Sequence, residues 1–281
     1  MTAAVSRWPK SIVHWRGIGR DNGTLNVSVP FTWMLPDAVA FCRAHSYTSR
    51  VRIGGPAVSL MPEYVTGCGA TIGGDLPALA HHNPDATFTT RGCPRRCMPC
   101  AVHRIEPEFS ELADWTPAPI VCDNNLLAAS KKHFNRVIDR EKVFDRVDFN
   151  QGLDARLLKP SHLSRLAELH LVHIRYSWDW VGMESQVMDA ITATLAAGIP
   201  RKRISIYVLI GIEDTPEDAL YRLESVRTLG IKPFPMRYQP LDALVKDSHV
   251  APGWTAKELR RMMRYWSRQN WLSKVPYAEY A

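Results

Sequence analysis

Several features are missing from this 281-residue sequence, and each absence narrows the class of protein. No stretch approaches the roughly 18 consecutive apolar residues of a membrane-spanning helix, so no membrane association is expected. The first ten residues lack the apolar run of a signal peptide, which predicts a cytoplasmic protein. Six cysteines would suit disulfides in a small secreted domain, but three of them are clustered in a large chain, which is typical of a reducing compartment.

The composition is that of a globular protein with an excess of basic residues. Hydrophobic residues make up 46% of the chain, which is ample for a core, and the formal net charge is +7. This balance favours anionic partners such as nucleic acids or phosphorylated metabolites. The basic residues could equally form solvated helix faces. They are concentrated at residues 91–104, 131–142, 201–203 and 260–268.

Three cysteines, Cys93, Cys97 and Cys100, stand at the spacing C-x3-C-x2-C and can converge on one metal centre. A structural zinc site normally has four protein ligands, and an electron-transfer four-iron cluster normally takes four thiolates. Three thiolates on a four-iron cluster leave one iron open for a ligand from outside the protein. The alternative is a zinc knuckle in which His103 is the fourth ligand.

This spacing, directly after a predicted strand over residues 86–90, resembles the signature of the radical S-adenosylmethionine (SAM) superfamily. The resemblance implies a [4Fe-4S] cluster whose open iron binds the amino and carboxylate groups of SAM. Reductive cleavage of SAM would then give a 5'-deoxyadenosyl radical that abstracts a substrate hydrogen, with flavodoxin or ferredoxin as the reductant. The family usually has an aromatic residue before the last cysteine, near the adenine; here that position is Pro99.

Strand-like and helix-like segments alternate after the cysteines, which predicts six β-α units. Gly198 and Gly230 stand where two of the helices should stop. We therefore expect an α/β fold with a partial (β/α)6 TIM-like barrel over residues 86–240. The predicted strands are 86–90, 119–123, 146–150, 171–177, 204–210 and 234–238, and the helices lie near 126–141, 160–169, 184–197 and 215–229.

The segment before the barrel, residues 1–85, reads as one β-α-β unit and a connector. Its predicted elements are a strand over 25–33, a helix over 36–45 and a strand over 51–59. It resembles a reduced form of the Rossmann-like domain in the cobalamin-binding branch of the superfamily. The Asp-x-His-x-x-Gly cobalamin motif is absent, so no cobalamin is expected.

Polar residues gather at the predicted carboxyl ends of the strands, where parallel β/α barrels place their chemistry. The resemblance implies SAM contacts at three of these ends. The end of the second strand stands where the family has the Gly-Gly-Glu motif that binds the SAM amino group. The end of the fourth strand stands where the family binds the ribose hydroxyls. The end of the fifth strand corresponds to the segment that packs along the adenine. The residues concerned are Asp123, Asn124 and Asn125, then Ser177 and Asp179, then Gly211 and Glu213.

Further polar residues at the barrel mouth could hold a polar substrate, although SAM carboxylate pairing or hydrogen bonding at the mouth would explain them equally well. These are Asn150, Gln151, Asp154, Arg156, Arg237 and Gln239. Cys122 is a less favoured candidate for catalysis, because side chains alternate along a strand and Cys122 faces the helices if Asp123 faces the lumen.

The last 41 residues, 241–281, contain a predicted helix over 255–272 that begins with a Thr255–Glu258 capping box. This amphipathic helix is expected to close the barrel, although arginines among aromatic residues could also form a nucleic-acid surface. Taken together, these features predict a radical SAM enzyme acting on a nucleotide or nucleic-acid base. The alternatives are a peptide or small-metabolite substrate, or a non-catalytic zinc-stabilised nucleic-acid-binding module.

Overall fold

The computed structural model describes residues 8–17, 23–73, 78–268 and 275–280. Contacts between residues divide the chain into two compact units, each assembled from several segments. The first unit comprises residues 1–87, 95–107 and 239–248, and the second comprises residues 88–94, 108–238 and 249–281.

The first unit contains a four-stranded sheet in the order β1-β2-β3-β4, in which β1 runs antiparallel to β2 and the other pairs are parallel. The predicted β-α-β unit corresponds to β2, α1 and β3. The strands are β1 (Val13–Arg16), β2 (Thr24–Ser28), β3 (Arg50–Gly54), β4 (Thr71–Ile72) and the short β5 (Ala86–Thr87). The helices are α1 (Leu35–His45), α2 (Pro56–Leu60), α3 (Leu79–His82) and α4 (Val102–Ile105).

The predicted strand over 51–59 is shorter in the structure because the backbone turns after Gly54. Gly55 has φ +101°, and a Cβ at this position would lie 2.9 Å from the backbone N and O of Val29. Only glycine fits this position without a shift of the backbone. Pro56 then begins α2, where its fixed φ suits the first turn of a helix.

Residues 239–248 complete the first unit although they follow the last strand of the second. Thr32 Oγ1 donates a hydrogen bond to the Ala243 carbonyl at 2.7 Å, and Leu244 packs against the core formed by β2, α1 and β3. Gln239 stabilises the same segment, since its Nε2 donates to Asp247 Oδ1 at 3.2 Å and its Oε1 accepts from the Asp247 amide at 3.1 Å.

The second unit contains the alternating strands and helices that the sequence predicts. Its strands are β6 (Thr90–Arg91), β7 (Ser110–Glu111), β8 (Ile120–Val121), β9 (Asp148–Phe149), β10 (Ile174–Trp178), β11 (Ile204–Ile210) and β12 (Lys232–Arg237). Its helices are α5 (Lys131–Glu141), α6 (Pro160–Leu166), α7 (Glu184–Ala196), α8 (Pro216–Thr228) and α9 (Ala256–Ser267).

Most strands of the second unit pair in parallel. β8 pairs with β9, β10 pairs with β11, and β11 pairs with β12, all in parallel. An isolated parallel bridge joins Val147, just before β9, to Leu171, just before β10. β6 and β7 form a separate antiparallel pair. The α/β class with parallel sheets is therefore confirmed, while the described residues form no closed barrel.

The two faces of β10 and β11 differ in burial. Alternate residues of these strands, such as Tyr176, Ile206 and Val208, are buried in the hydrophobic core. The residues between them, including Arg175 and Tyr207, are less buried. This alternation places polar side chains on one face of the sheet and the hydrophobic core on the other.

Helix ends in the second unit follow the predicted signals. Gly198 and Gly230 adopt φ +82° and +70° just after α7 and α8. The Thr255–Glu258 capping box is present at the start of α9, which ends at Ser267, while the rest of the predicted helix, including Trp271, lies outside the described residues. Among the helices described, none is long and apolar enough to cross a membrane.

Candidate functional site

The cysteine loop follows β6, and its three cysteines are half-buried thiols. The sulfurs of Cys100 and Cys93 accept hydrogen bonds from nitrogen. The Val102 amide donates to Cys100 Sγ at 3.5 Å, and Asn125 Nδ2 donates to Cys93 Sγ at 3.4 Å. Hydrogen bonds to cysteine sulfurs stabilise thiolates and help to set the potential of an iron–sulfur cluster. The cysteines and their hydrogen-bond donors therefore fit the requirements of an iron–sulfur cluster.

A site for a single metal ion is not formed in the part of the chain that the structure describes. No three His, Cys, Asp or Glu side chains there are grouped so as to hold one ion. His103 Nδ1, the fourth ligand of the zinc alternative, is buried and has no hydrogen-bond partner among the described residues. The tetrahedral shell of a structural zinc site is thus not preformed. A [4Fe-4S] cluster does not require the cysteines to surround one ion, because each cysteine binds a different iron atom.

Asp123 follows β8 and is buried against the strand that leads to the cysteine loop. Its Oδ1 accepts from the amides of Thr89 at 2.6 Å and Thr90 at 2.9 Å, and its Oδ2 accepts from Thr89 Oγ1. Burial raises the pKa of Asp123, and these hydrogen bonds partly oppose that rise. Both carboxylate oxygens are therefore engaged in holding Thr89 and Thr90.

Asn125 is the predicted site residue with the most informative environment. It is buried, and its Nδ2 donates to Asp154 Oδ2 at 3.3 Å as well as to Cys93. Its Oδ1 is buried with no partner in the described part of the chain. An orphaned acceptor beside a cysteine of the motif fits a ligand that carries a hydrogen-bond donor, such as an ammonium group. Asn124, the residue before it, is half-buried.

Asp154 and Arg156 form an ion pair next to Asn125. Arg156 Nε donates to Asp154 Oδ1 at 2.7 Å and Arg156 Nη2 donates to Asp154 Oδ2 at 3.2 Å. The Arg156 amide also donates to Asp154 Oδ1 at 3.1 Å, so Asp154 caps a short 3-10 helix. Of the other residues predicted after the third strand, Asn150 is half-buried and Gln151 is exposed.

Ser177 and Asp179 lie at the end of β10. Ser177 Oγ donates to Asp179 Oδ2 at 3.4 Å. Burial raises the pKa of Asp179, while the positive charge of Arg156 opposes the rise. The structure thus brings Asp179 into the electrostatic environment of the Asp154–Arg156 pair. Together with Asn125 and Cys93, these residues form the candidate site in the second unit.

The end of β11 is organised by Asp214, which belongs to the polar end of the predicted fifth strand but was not among the predicted site residues. Its Oδ1 accepts from the amides of Gly211 at 2.9 Å and Ile212 at 3.2 Å, and its Oδ2 pairs with Arg222 Nη2 at 2.5 Å. Gly211 has φ +76°, a conformation that favours glycine. The adjacent Glu213 is exposed. Arg222 lies within α8, so no local sequence pattern indicated this pair.

The remaining predicted residues have separate surroundings. Arg237, at the end of β12, donates from Nη2 to the His249 carbonyl at 2.6 Å, and its Nε is buried without a partner among the described residues. Gln239 belongs to the first unit, where it is engaged with Asp247. Pro99 is half-buried in the cysteine loop.

A second missed group lies on the less buried face of the parallel strands. Arg175 of β10 forms a bidentate ion pair with Asp148 of β9, with Nη2 to Oδ2 at 3.1 Å. Tyr207 of β11 lies in the electrostatic environment of Arg175 and is edge-on to Phe234 of β12. Burial raises the pKa of Tyr207, so it stays a neutral phenol. Single charged or polar residues within apolar strands were the sequence signal.

Cys122 has the environment of a packed thiol. It is 2% exposed, and burial, followed by the negative charges of Asp123 and Asp148, raises its pKa to about 12. Because the thiolate is the reactive form, such a cysteine is a poor nucleophile.

The comparisons with known proteins identify the fold. No family model and no curated protein matches this sequence. Among solved structures, the chain is similar to the radical S-adenosylmethionine methyltransferase TsrM from Kitasatospora setae, determined with cobalamin and a [4Fe-4S] cluster bound. The TM-score is 0.57 at 12% sequence identity, over 83% of this chain and 69% of that one. The resemblance to radical SAM enzymes that the cysteine motif predicts is therefore confirmed at the level of the fold.

Proposed function

We propose that this protein is a radical SAM enzyme that holds a [4Fe-4S] cluster on Cys93, Cys97 and Cys100. The carrying observation is the C-x3-C-x2-C motif directly after β6, in a chain whose fold is that of a radical SAM enzyme. The hydrogen bonds to Cys93 and Cys100 support the same reading, because they suit thiolate ligands.

The partial barrel belongs to this proposal. Its support is the order of the parallel pairings in the second unit, where β8, β9, β10, β11 and β12 follow one another along the chain. Such a sequential arrangement, with helices between the strands, is the pattern of a (β/α) barrel that has not closed.

Asn125 is the best supported of the proposed SAM contacts. Its unpaired Oδ1 can accept from the SAM amino group, while its Nδ2 remains on Cys93. We assign the ribose hydroxyls to Ser177 and Asp179, and the adenine to the backbone near Gly211. Asn124, Glu213 and Pro99 complete the proposed set, in which Asp123 holds Thr89 and Thr90.

When bound, the cluster would supply the electron that cleaves SAM to the 5'-deoxyadenosyl radical. The reductant would be a flavodoxin or ferredoxin. The protein's own contribution is to orient SAM against the cysteine loop and to keep water from the radical. The sequence lacks a cobalamin motif, and we expect no cobalamin.

For the substrate we propose a nucleotide or a nucleic-acid base, because the net charge of +7 favours anionic partners. Candidate contacts are Asn150, Gln151, Arg156 and Arg237. Part of the basic charge is engaged in contacts within the chain at its surface, since Arg140 pairs with Asp114 and Arg136 donates to the carbonyls of Leu112 and Ala113. This favours a small substrate over a long nucleic acid, and leaves a peptide or small metabolite as the alternative.

The test is anaerobic reconstitution followed by incubation with SAM and dithionite, with 5'-deoxyadenosine as the product measured. Wild-type protein should be brown, absorb near 400 nm and form deoxyadenosine. Cys97→Ala should lose the product, whereas Cys68→Ala, a cysteine outside the motif, should keep both iron and product. A colourless wild-type protein containing one zinc would instead support the alternative of a zinc-stabilised nucleic-acid-binding module.

A further inference from the structure

A hydrogen-bonded chain of side chains leads from Arg156 to the sulfur of Cys93. Arg156 donates to Asp154 through Nε and Nη2, and Asp154 Oδ2 accepts from Asn125 Nδ2. The same Nδ2 donates to Cys93 Sγ at 3.4 Å. All four residues belong to the second unit. None of these contacts is required by the cysteine motif itself.

This series of hydrogen bonds determines which end of the Asn125 side-chain amide faces the Cys93 sulfur. A carboxylate accepts hydrogen bonds but cannot donate them, so the group turned toward Asp154 must be the NH2. Arg156 holds Asp154 in place through two of its nitrogens. With both donor hydrogens of the amide assigned, one to Asp154 and one to Cys93, the carbonyl oxygen must point elsewhere.

A donor at a cysteine sulfur has a predictable effect on a bound cluster. Reduction adds negative charge, part of which resides on the sulfur ligands, so a hydrogen bond stabilises the reduced form more than the oxidised form. The potential therefore rises when the donor is present. Asn125 is 3% exposed, so water cannot readily replace its NH2 group.

We infer that Asn125, oriented by Asp154 and Arg156, is a positioning residue that raises the reduction potential of the cluster through its hydrogen bond to Cys93. The inference rests on the proposed cluster. It gives Asp154 and Arg156 a role in orienting Asn125, in addition to the substrate contact proposed for Arg156. Asn125 would then contact both the cluster ligand Cys93, through Nδ2, and SAM, through Oδ1.

The experiment is a potentiometric titration of the reconstituted cluster, followed by electron paramagnetic resonance without SAM or substrate. Asn125→Leu keeps the approximate size and removes the donor, and Asn125→Ser keeps a polar group that is too short to reach Cys93. In both variants the ratio of reduced to oxidised cluster at a fixed potential should fall about tenfold, which equals about 59 mV for a one-electron couple. Because the titration reports only loaded protein, a partial loss of iron does not affect the midpoint.

Asn135→Ala, on α5, is the matched control, and its midpoint should equal that of the wild type. Midpoints of both Asn125 variants that coincide with the wild type would overturn the inference while leaving the enzyme assignment intact. A wild-type protein that takes up no iron would overturn the proposed function, and the inference with it. The two failures are therefore distinguishable in one set of samples.

Discussion

Glu141 shows how a single buried carboxyl can make the stability of this protein depend on pH. It lies at the end of α5 with no exposed surface, and its Oε1 accepts from Trp115 Nε1 at 3.3 Å. Its Oε2 has no partner among the described residues. Burial raises the pKa of Glu141 from 4.5 to about 7. Between these two pH values the folded protein therefore keeps a proton on Glu141 that the unfolded chain releases.

We expect Glu141→Gln to stabilise the protein at pH 8 and to leave its stability nearly unchanged at pH 4.5. The folded-state pKa is the higher one, so the free energy of unfolding of the wild type falls as the pH rises from 4.5 through about 7. The difference at pH 8 should reach about 3 kcal/mol. Urea denaturation across this range measures it, with the exposed Glu108→Gln as control. Parallel curves for wild type and Glu141→Gln would contradict the assignment.

Cys122 gives a prediction about reactivity at the same scale. Its burial and raised pKa predict that iodoacetamide modifies it only after unfolding. For the proposed function, Cys122→Ala should keep the iron content and the rate of deoxyadenosine formation of the wild type, because a buried thiol with a raised pKa is a poor nucleophile. Mass spectrometry of the native alkylated protein, together with the product assay, tests both statements. Modification of the native protein at Cys122 would show that the thiol is accessible.

Among the elements, α9 provides a test of local stabilisation. The Thr255 side chain accepts from the Glu258 amide at 3.1 Å, and Glu258 Oε2 accepts from the Thr255 amide at 2.7 Å. Thr255→Ala removes one half of this capping box and should lower the free energy of unfolding by about 1 kcal/mol. Lys257→Ala, an exposed position in the same turn, should change it by less than about 0.5 kcal/mol. Equal effects of the two substitutions would mean that the box does not stabilise the helix.

The accuracy of the sequence reading differs from element to element for physical reasons. β11 matches its predicted bounds, 204–210, because it is a long apolar run that is followed directly by Gly211. β8 and β9 have two residues each, since only a short stretch pairs with a neighbour. β1 was not predicted, because its four residues, VHWR, alternate between apolar and polar over too short a stretch to identify a strand. Local patterns identified the long elements and missed those fixed by pairing.

The site follows the same rule. The cysteine motif is local, so its spacing could be read from the sequence, and the alternation of strands and helices after it favoured a cluster over zinc. The partners of Asp123 are 33 and 34 residues away, and Arg222 reaches backbone carbonyls 13 and 44 residues away. No pattern in the sequence specifies such contacts. For this reason the sequence identified the polar residues at the strand ends as a group. Only the structure shows which of them make hydrogen bonds within the protein.

At the scale of the whole molecule, the two units have separate hydrophobic cores, which predicts that unfolding is not a single two-state transition. Ile53 is fully buried in the first core and Ile206 in the second. Replacing either with Ala should cost about 2–5 kcal/mol and lower only the transition of its own unit. Calorimetry of the iron-free protein measures this. If both variants shift one common transition, the two units unfold as one.

The segment 239–248 has a consequence for how the chain folds as it is made. Thr32 and the core around β2 need Ala243 and Leu244 as partners, yet more than 200 residues separate them in the sequence. The parallel strands β10, β11 and β12, by contrast, pair in the order in which they leave the ribosome. The unit that is begun first is thus completed late, and the part of its surface that Ala243 and Leu244 contact stays uncovered until the end of translation. This is the stage at which chaperones act on nascent chains.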